Sequence, residues 1–258
     1  MRSTIPMIGF QVRWEQKSYW RNPAAAAFTF AFPLLFLVIF TALNGNDTID
    51  LPGGQVKFAQ YYVPAIIAFG LISACYTNLA FTICIRRESG LLKRSRGTPL
   101  SPVVYLCGIV GNVIVVALIL TALIAALGVI AYGVTFPGRY LGLLVAIVVG
   151  AFCFSALGIA VSTIVTYEDA APAIINFILF PLLFISGTFG AVSSSSALGR
   201  VAVIFPVQHL IQAMVHVFDP FGAGTEIIAT HTLIMLAWGI GALLVSLRRF
   251  RWEPRIAS

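Results

Sequence analysis

Six long apolar runs, none with a charged residue near its middle, set the strongest limit on what this chain can fold into. They cover residues 24–43, 60–85, 103–132, 140–165, 170–187 and 226–247. A helix needs roughly 20 mainly apolar residues to cross about 30 Å of hydrocarbon. The runs therefore predict an all-α membrane protein with six transmembrane helices in one domain, residues 1–258.

The composition supports the same class of protein. Hydrophobic residues make up 59% of the 258 residues and charged residues only 10%, whereas soluble domains have roughly 25% charged residues. The formal net charge is +7. Such a charge indicates either nucleic-acid binding or basic loops on one side of a membrane, and the positions of Lys and Arg decide between the two.

The basic residues are distributed very unevenly. Of the 16 Lys and Arg residues, four precede the first run, five follow the second and four follow the sixth. Only Lys57, Arg139 and Arg200 fall on the other side of a six-span topology. Cytoplasmic loops of membrane proteins carry such an excess of Lys and Arg. We therefore expect both termini in the cytoplasm, and the topology explains the charge without a nucleic-acid partner.

The N-terminal segment, residues 1–23, is typical of a helix that lies along the membrane surface. It mixes basic residues with aromatic ones, including Trp14 and Trp20, and Trp favours the headgroup zone of a bilayer. It has no cleavable apolar core, so we expect the first run to remain as an anchor. The pair Asn22-Pro23 predicts a break before that run.

The segment after the fifth run, residues 188–225, is largely apolar but too interrupted to span a membrane. It contains four serines at 193–196 and a proline, Pro206. Two short helices that dip into the outer leaflet fit this pattern. Irregular backbone at that depth must be covered by protein or line a wet cavity, so we predict a re-entrant helical hairpin.

A few polar residues lie inside the apolar runs. Thr77, Asn78 and Thr82 fall in the second run, and Asn176 falls in the fifth. Such groups face other helices rather than lipid. They either hold the bundle together, which is the interpretation we favour, or line a path through it.

The sequence offers no catalytic or metal-binding constellation. It has no GxxxxGK[ST] phosphate-binding loop, so we do not expect it to hydrolyse ATP. His209 and His216 share a helical face, but a metal site needs three or four ligands. The four cysteines lie singly in or beside apolar runs and are expected to be buried apolar residues. We expect neither enzyme activity nor a cofactor on this chain.

The polar segment 86–102, which follows the second run, has two interpretations. It holds five basic residues, with Leu91 and Leu92 flanked by charge, and a stop signal at Gly97 and Pro99. It is either a solvated loop that fixes topology or a short docking helix for a cytosolic partner. Composition alone does not choose between them.

Two motifs resemble the ABC-2 family of ABC-transporter permeases. The sequence SGLLKRSRGTPLSPVVYLCG, directly after Glu88, is similar to the family's cytoplasmic loop. The sequence FPLLFISGTFGAVSSSSALGRVAVIFPVQHLIQAM, residues 180–214, is similar to its fifth span, Ser-Gly-Thr turn and outer re-entrant helices. Six spans, the interfacial helix and the total length also agree with the family. The chain departs from it after the Ser-Gly-Thr turn, where Gly190-Ala191-Val192 and the serines replace prolines that often occur there.

The resemblance implies partners and roles for specific residues. ABC-2 permeases pair as homodimers or heterodimers, and two separate ATPase subunits, which hold ATP and Mg²⁺, dock beneath them. The resemblance assigns contact with the ATPase to the interfacial helix and to Glu88, Gly90, Leu91, Lys93, Arg94, Arg96, Thr98 and Pro99. It assigns an outer re-entrant gate to Ser186, Gly187, Thr188, Phe189, Pro206 and His209.

The implied function is that of the permease subunit of an ATP-driven exporter in the bacterial inner membrane. Its substrate would be amphipathic or lipid-like, such as a drug, lipid or glycoconjugate. Membrane lipids would surround the permease. The alternatives are an ATP-independent channel or secondary transporter and a membrane assembly factor. The lack of charged residues near the middle of the runs disfavours an ion-coupled transporter.

Overall fold

Six of the helical stretches in the computed structural model of the protein are long and apolar enough to cross a membrane. The structure describes residues 4–45, 47–51, 54–96, 101–188, 197–221 and 226–250. Within these residues the chain is almost entirely helical. The predicted fold class, an all-α membrane protein with six transmembrane helices, is confirmed.

Eleven α-helices follow one another along the described residues, most of them with short connections. They are α1 (Thr4–Trp20), α2 (Pro23–Asn44), α3 (Phe58–Ile72), α4 (Leu79–Glu88), α5 (Leu91–Arg96), α6 (Pro102–Tyr132), α7 (Tyr140–Ser162), α8 (Ala171–Ile185), α9 (Ala197–Ala202), α10 (Pro206–Val217) and α11 (Ala229–Arg249). A π-helical segment, Ser73–Asn78, joins α3 to α4, so that these three form one membrane-spanning helix. A 3₁₀ turn, Glu168–Ala170, precedes α8.

This second spanning helix forms the centre of the bundle. Every residue of α3 is buried. Helix α6 packs closely against it, because a Cβ added to Gly128 would lie 2.8 Å from Val63 Cγ1. A Cβ added to Gly70 of α3 would likewise lie 2.8 Å from Leu120 Cδ2 of α6. The two glycines therefore let these helices approach more closely than larger residues would allow.

Helices α2 and α8 lie at the edge of the bundle. Their spans are mostly unburied, and they expose large apolar side chains, among them Phe28 and Leu43 on α2 and Phe177 and Phe184 on α8. Apolar exposure on this scale needs a partner or a lipid environment. These two helices, like α11, therefore meet lipid or another membrane chain.

Helix α1 packs across the first turns of α6 at two glycines. A Cβ added at Gly108 would collide with the Gln11 side chain, and one added at Gly111 would lie 2.5 Å from Val12 Cγ2. The predicted N-terminal helix is therefore fixed against the bundle. We call the end of the bundle that holds α1, α5 and the last turn of α11 the basic end, and the other the opposite end.

A small antiparallel hairpin at the opposite end is not among the predicted elements. Strand β1, Thr48–Leu51, pairs with β2, Gly54–Lys57, so that Ile49 faces Val56. Val56 is buried while the other residues of β2 are exposed. Two strands of four residues contain too few alternations to give a clear period-2 signal in the sequence.

Helices α9 and α10 form the hairpin predicted after the fifth span. Their connection lies at the surface of the bundle and part-way along α11, because Trp238 Nε1 of α11 donates to Ile204 O at 2.9 Å. Trp238 lies nine residues into α11, which is about 14 Å at ~1.5 Å per residue, or roughly half of the hydrocarbon layer. Helix α10 then returns to the opposite end, where Gln60 Nε2 donates to Phe218 O at 2.6 Å.

Candidate functional site

A cavity of about 730 Å³ lies between α2 and α8, in the half of the bundle nearer the basic end. Small-molecule sites usually measure roughly 300–1,000 Å³. The described residues that line it are uncharged polar side chains, aromatic and aliphatic side chains, and one pair of opposite charges. They are Ser18, Tyr19, Asn22, Thr29, Ser73, Thr77, Asn78, Thr82, Asn112 and Asn176; Phe28, Phe32, Phe69, Phe81, Ile85, Leu179 and Phe180; and Glu15 with Arg86.

The four polar residues that the sequence placed inside spans all line this cavity. Thr77, Asn78 and Thr82 lie on the second spanning helix, and Asn176 lies on α8. Each is partly exposed rather than buried between helices. The structure thus brings these residues together at one surface, which suits path lining better than the packing role that the sequence favoured. Their role in transport stays a prediction.

The π-helical segment Ser73–Asn78 sits between this cavity and α7. Three of its polar side chains line the cavity. On its other side the backbone meets α7, because a Cβ added at Gly158 would lie 2.8 Å from Tyr76 O and 3.1 Å from Cys75 O. Single-turn π segments within α-helices are frequent at functional sites. Here the segment combines a polar cavity wall with tight packing on α7.

An ion pair between Glu15 of α1 and Arg86 of α4 lies at the cavity's end nearest the basic end. Arg86 Nη1 donates to Glu15 Oε1 at 2.8 Å, and Nη2 donates to Oε2 at 2.5 Å. Gln11 Nε2 donates to the same carboxylate at 3.1 Å, and Arg86 Nη1 also donates to Tyr105 Oη at 3.1 Å. The network joins α1, α4 and α6.

The same ion pair also borders a second cavity. Glu15 and Arg86 both line a space of about 590 Å³ whose other described lining residues include Trp14, Leu91 and Tyr105. The pair therefore stands where the space between α2 and α8 meets the space beside α5. Any movement of α1 against α4 would change the connection between the two cavities.

Arg87, which follows Arg86, has a structural role. Its Nη1 donates to Ser162 O at 2.8 Å and its Nη2 to Val165 O at 2.5 Å. The last carbonyls of a helix lack intrahelical donors, and a cation near a helix C-terminus is favourable. Because Arg87 is only 4% exposed, it holds the end of α7 and is not available to an external partner.

Glu88, the acidic residue predicted to contact an ATPase, is exposed and ends α4. Its Oε2 accepts a hydrogen bond from the backbone N–H of Glu168 at 2.5 Å, just before α8. The chain then turns at Gly90, whose φ of +72° lies in the left-handed region that favours glycine. Glu88 thus connects the turn before α5 with the 3₁₀ turn that precedes α8.

Helix α5 is short, with one buried side chain and a charged surface. Leu92 is fully buried against the core, whereas Leu91, Lys93 and Arg94 are exposed. Of the two interpretations of segment 86–102, the helix agrees with the structure, while its contact with a partner stays a prediction. Arg96 is the last residue of α5. Thr98 and Pro99, together with Phe189 of the predicted gate, lie outside the described residues.

At the opposite end, the turn after α8 is attached to the second spanning helix. Tyr61 Oη donates to Gly187 O at 2.9 Å, and Gly187 has a left-handed φ of +84°. Its neighbours Ser186 and Thr188 are buried. Pro206 begins α10, a position where its missing N–H removes no helical hydrogen bond.

His209 attaches the hairpin to α11. Its Nε2 lies 2.8 Å from Val203 O, and its Nδ1 lies 2.8 Å from His231 Nδ1. Because a carbonyl oxygen accepts, His209 Nε2 carries the proton, so its Nδ1 accepts from the His231 Nδ1–H. Among the described residues no group of three or more His, Cys, Asp or Glu side chains is placed to hold a metal ion.

Glu15 and Asn112 are site residues that the sequence reasoning missed. Asn112 is the one amide in the apolar run 103–132, so its polarity marks it in the same way as that of Asn176. Glu15 is the only acidic residue before the first run, which predicts an ion pair. Its partner Arg86 lies 71 positions away, and no local pattern connects the two.

A bundle of six apolar helices, with a polar cavity between two peripheral helices and a short charged helix at one end, is the architecture of a multi-pass membrane protein. The sequence model of a family described as "ABC-2 family transporter protein" matches residues 43–248. The chain therefore belongs to the ABC-2 transporter family. It is a multi-pass membrane subunit for transport rather than a catalytic subunit, and it works with an ABC ATPase. No curated protein sequence matches the chain.

Proposed function

We propose that this chain is the permease subunit of an ATP-driven exporter that moves an amphipathic or lipid-like substrate out of the cytoplasm. The observation that supports this most directly is the cavity between α2 and α8, which has hydroxyl and amide groups and aromatic rings in one space. An amphiphile needs both kinds of surface. Drugs, lipids and glycoconjugates all belong to this class.

The orientation follows from the basic residues. The basic end faces the cytoplasm of a bacterial cell, with both chain termini on that side, because Lys and Arg concentrate in cytoplasmic loops. The hairpin of α9 and α10 then faces outward. In this orientation Ser186, Gly187, Thr188, Phe189, Pro206 and His209 act as the outer gate.

Energy reaches the permease through α5. Two copies of the ATPase bind ATP and Mg²⁺ and dock against Leu91, Lys93 and Arg94, which α5 exposes. The buried Leu92 keeps α5 attached to the bundle. A displacement of α5 is transmitted to α8 through Glu88 and its hydrogen bond to Glu168. It is transmitted to α1 through the neighbouring Glu15–Arg86 pair.

A second permease chain completes the cavity. The two helices that flank it, α2 and α8, carry exposed side chains such as Phe28 and Phe177. Pairing of two permeases through these helices would cover the apolar surface and enclose the cavity on its open side. The second chain is a copy of this one or a related permease.

The coupling step is tested by reversing one exposed charge. We expect Arg94→Glu to weaken binding of the cognate ATPase and to reduce its stimulation in proteoliposomes several-fold, since docking of charged surfaces is sensitive to like charges. Arg200→Glu, an exposed cation on α9 at the opposite end, is the matched control. Glu88→Ala is less specific, because it also removes the acceptor for Glu168 N–H. Unchanged stimulation with Arg94→Glu would remove α5 from the coupling path.

The alternative functions are separated by the same proteoliposomes. An exporter moves substrate only when ATP and the ATPase are present, and only from the basic end of the bundle to the opposite end. Flux through the permease alone would identify an ATP-independent channel or secondary transporter. No flux under any condition, with a stable complex, would favour a membrane assembly factor.

A further inference from the structure

We infer that the cavity between α2 and α8 takes an amphiphile with an uncharged, hydroxyl-bearing head group, such as a glycosylated lipid, and rejects amphiphiles with a charged head. This inference rests on the proposed function and specifies the substrate class of the same site. Three properties of the cavity support it: its charge, its buried hydrogen-bond acceptor and the arrangement of its two kinds of wall.

The charges of the cavity are already neutralised. Among its described lining residues only Glu15 and Arg86 carry a charge, and they bind each other through two hydrogen bonds. Gln11 Nε2 donates to the same carboxylate, and Arg86 Nη1 also donates to Tyr105 Oη, which completes this network. A ligand with a phosphate or an ammonium group would find no free countercharge here, and moving such a group out of water without one is costly.

Asn112 supplies an acceptor that the described residues leave without a donor. It lines the cavity from α6, it is only 7% exposed, and its Oδ1 has no hydrogen-bond partner in the part of the chain that the structure describes. A buried unsatisfied acceptor lowers the stability of the empty protein, so such a group requires an explanation. Rotation about the last side-chain torsion, which is soft in Asn, brings this oxygen to a ligand. A hydroxyl of the head group would satisfy it.

Other groups around Asn112 suit the same head group. Ser73, Thr77, Asn78 and Asn176 line the same space and each retains some exposure. Hydroxyl and carboxamide groups both donate and accept hydrogen bonds. A sugar also presents donors and acceptors together, so its hydroxyls match this wall without any ionic contact.

The apolar tail has its own wall. Phe28 stacks on Phe32 with ring centroids 5.7 Å apart, and Phe32 lies 6.0 Å from Phe69. Phe81 and Phe180 also line the cavity. Burial of an apolar chain against such rings removes apolar surface from water and stabilises the complex. Because this wall begins on the peripheral helix α2, a tail that binds there lies at the edge of the bundle.

Binding to the full-length protein tests the inference. Protein in phosphatidylcholine nanodiscs is titrated with three probes of equal chain length: diglucosyl diacylglycerol, phosphatidylglycerol and a quaternary ammonium amphiphile. Native mass spectrometry measures the bound fraction. We expect the glycolipid to bind at least several-fold more tightly than the other two. Equal or tighter binding of either charged probe would overturn the inference.

Substitutions identify the cavity as the site. We expect Asn112→Leu to weaken glycolipid binding about 3- to 10-fold, as expected for one lost hydrogen bond, and to raise the melting temperature of the empty protein because it removes an unsatisfied acceptor. We expect Thr77→Val to weaken glycolipid binding as well, but by a smaller factor. Asn44→Leu at the other end of α2, whose Nδ2 donates to Phe40 O, is the matched control and leaves binding unchanged. Unaltered glycolipid binding with both cavity variants would contradict the site.

The result separates this inference from the proposed function. If none of the probes binds while ATP-driven export of another substrate persists with the cognate ATPase, the head-group inference fails and the exporter stands. If the glycolipid binds at the cavity but ATP and the ATPase never move it or any other amphiphile, the exporter fails and the binding site stands.

Discussion

At the scale of single residues, two adjacent arginines at the end of the second spanning helix have different roles. Arg87 binds the last carbonyls of α7, whereas Arg86 binds a carboxylate on α1. The sequence shows them as equal members of a basic cluster that follows an apolar run. Local composition predicts on which side of the membrane they lie, but their partners lie more than 70 positions away and depend on how the helices pack.

Removal of the Glu15 carboxylate should destabilise the fold. Breaking a buried ion pair by deleting one partner costs about 3–5 kcal/mol, and we expect the lower end of that range because the Arg86 side chain is 19% exposed. Thermal unfolding in detergent measures the change for Glu15→Ala. The exposed Arg13→Ala on α1 is the control and should have little effect.

A double substitution separates loss of the pair from loss of a charge. Glu15→Leu together with Arg86→Met replaces both partners by apolar groups, which is often nearly neutral. We therefore expect the double variant to regain most of the stability that Glu15→Ala loses. If Glu15→Ala were as stable as Arg13→Ala, the ion pair would not hold α1 to the bundle.

At the scale of secondary structure, the sequence predicts the long helices well and the irregular elements poorly. Apolar runs of about 20 residues leave little choice in a membrane, because only a helix satisfies its own backbone there. The π-helical segment Ser73–Asn78 leaves no such signal, since one wider turn changes neither the length nor the apolarity of the run. Polarity alone identified four of the cavity residues: Thr77, Asn78, Thr82 and Asn176. That they meet in one cavity depends on how separate helices pack.

Close packing of α7 on the π-helical segment predicts a strong effect at Gly158. Its Cβ would meet the carbonyl oxygens of Tyr76 and Cys75, and backbone atoms cannot move aside as a flexible side chain can. We expect Gly158→Ala to cost about 1–3 kcal/mol, as overpacking does, and to lower the melting temperature in detergent.

The matched control for Gly158→Ala is Gly241→Ala on α11, where a Cβ would meet nothing within 4 Å. Ala is the better helix former, so this control should be neutral or slightly stabilising. The same melting temperature for both variants would mean that the π-helical segment does not press on α7.

At the scale of the whole molecule, the arrangement of the spans is asymmetric. The second spanning helix is mostly buried, and its α3 part completely so, whereas α2 and α8 remain mostly exposed and flank the cavity. Lipid tails are as apolar as the exposed side chains, so exposure alone does not distinguish lipid from protein. The cavity between the two helices favours protein over lipid as the neighbour. Its polar residues would be poorly solvated by hydrocarbon, whereas a second chain can close the cavity.

Pairing through α2 and α8 predicts disulfide cross-linking at positions on these two helices. Single cysteines introduced at Phe177 and Phe184 on α8 and at Leu35 on α2, all exposed, are oxidised in membranes that contain this permease alone. In a two-fold dimer, residues near the axis face their own copies, and a disulfide requires Cα atoms within about 7 Å. We therefore expect a covalent dimer for at least one position. Ile240→Cys on α11, which is also exposed, is the control and should stay monomeric. Dimers from this control alone would place the interface on α11 and leave the cavity open to lipid.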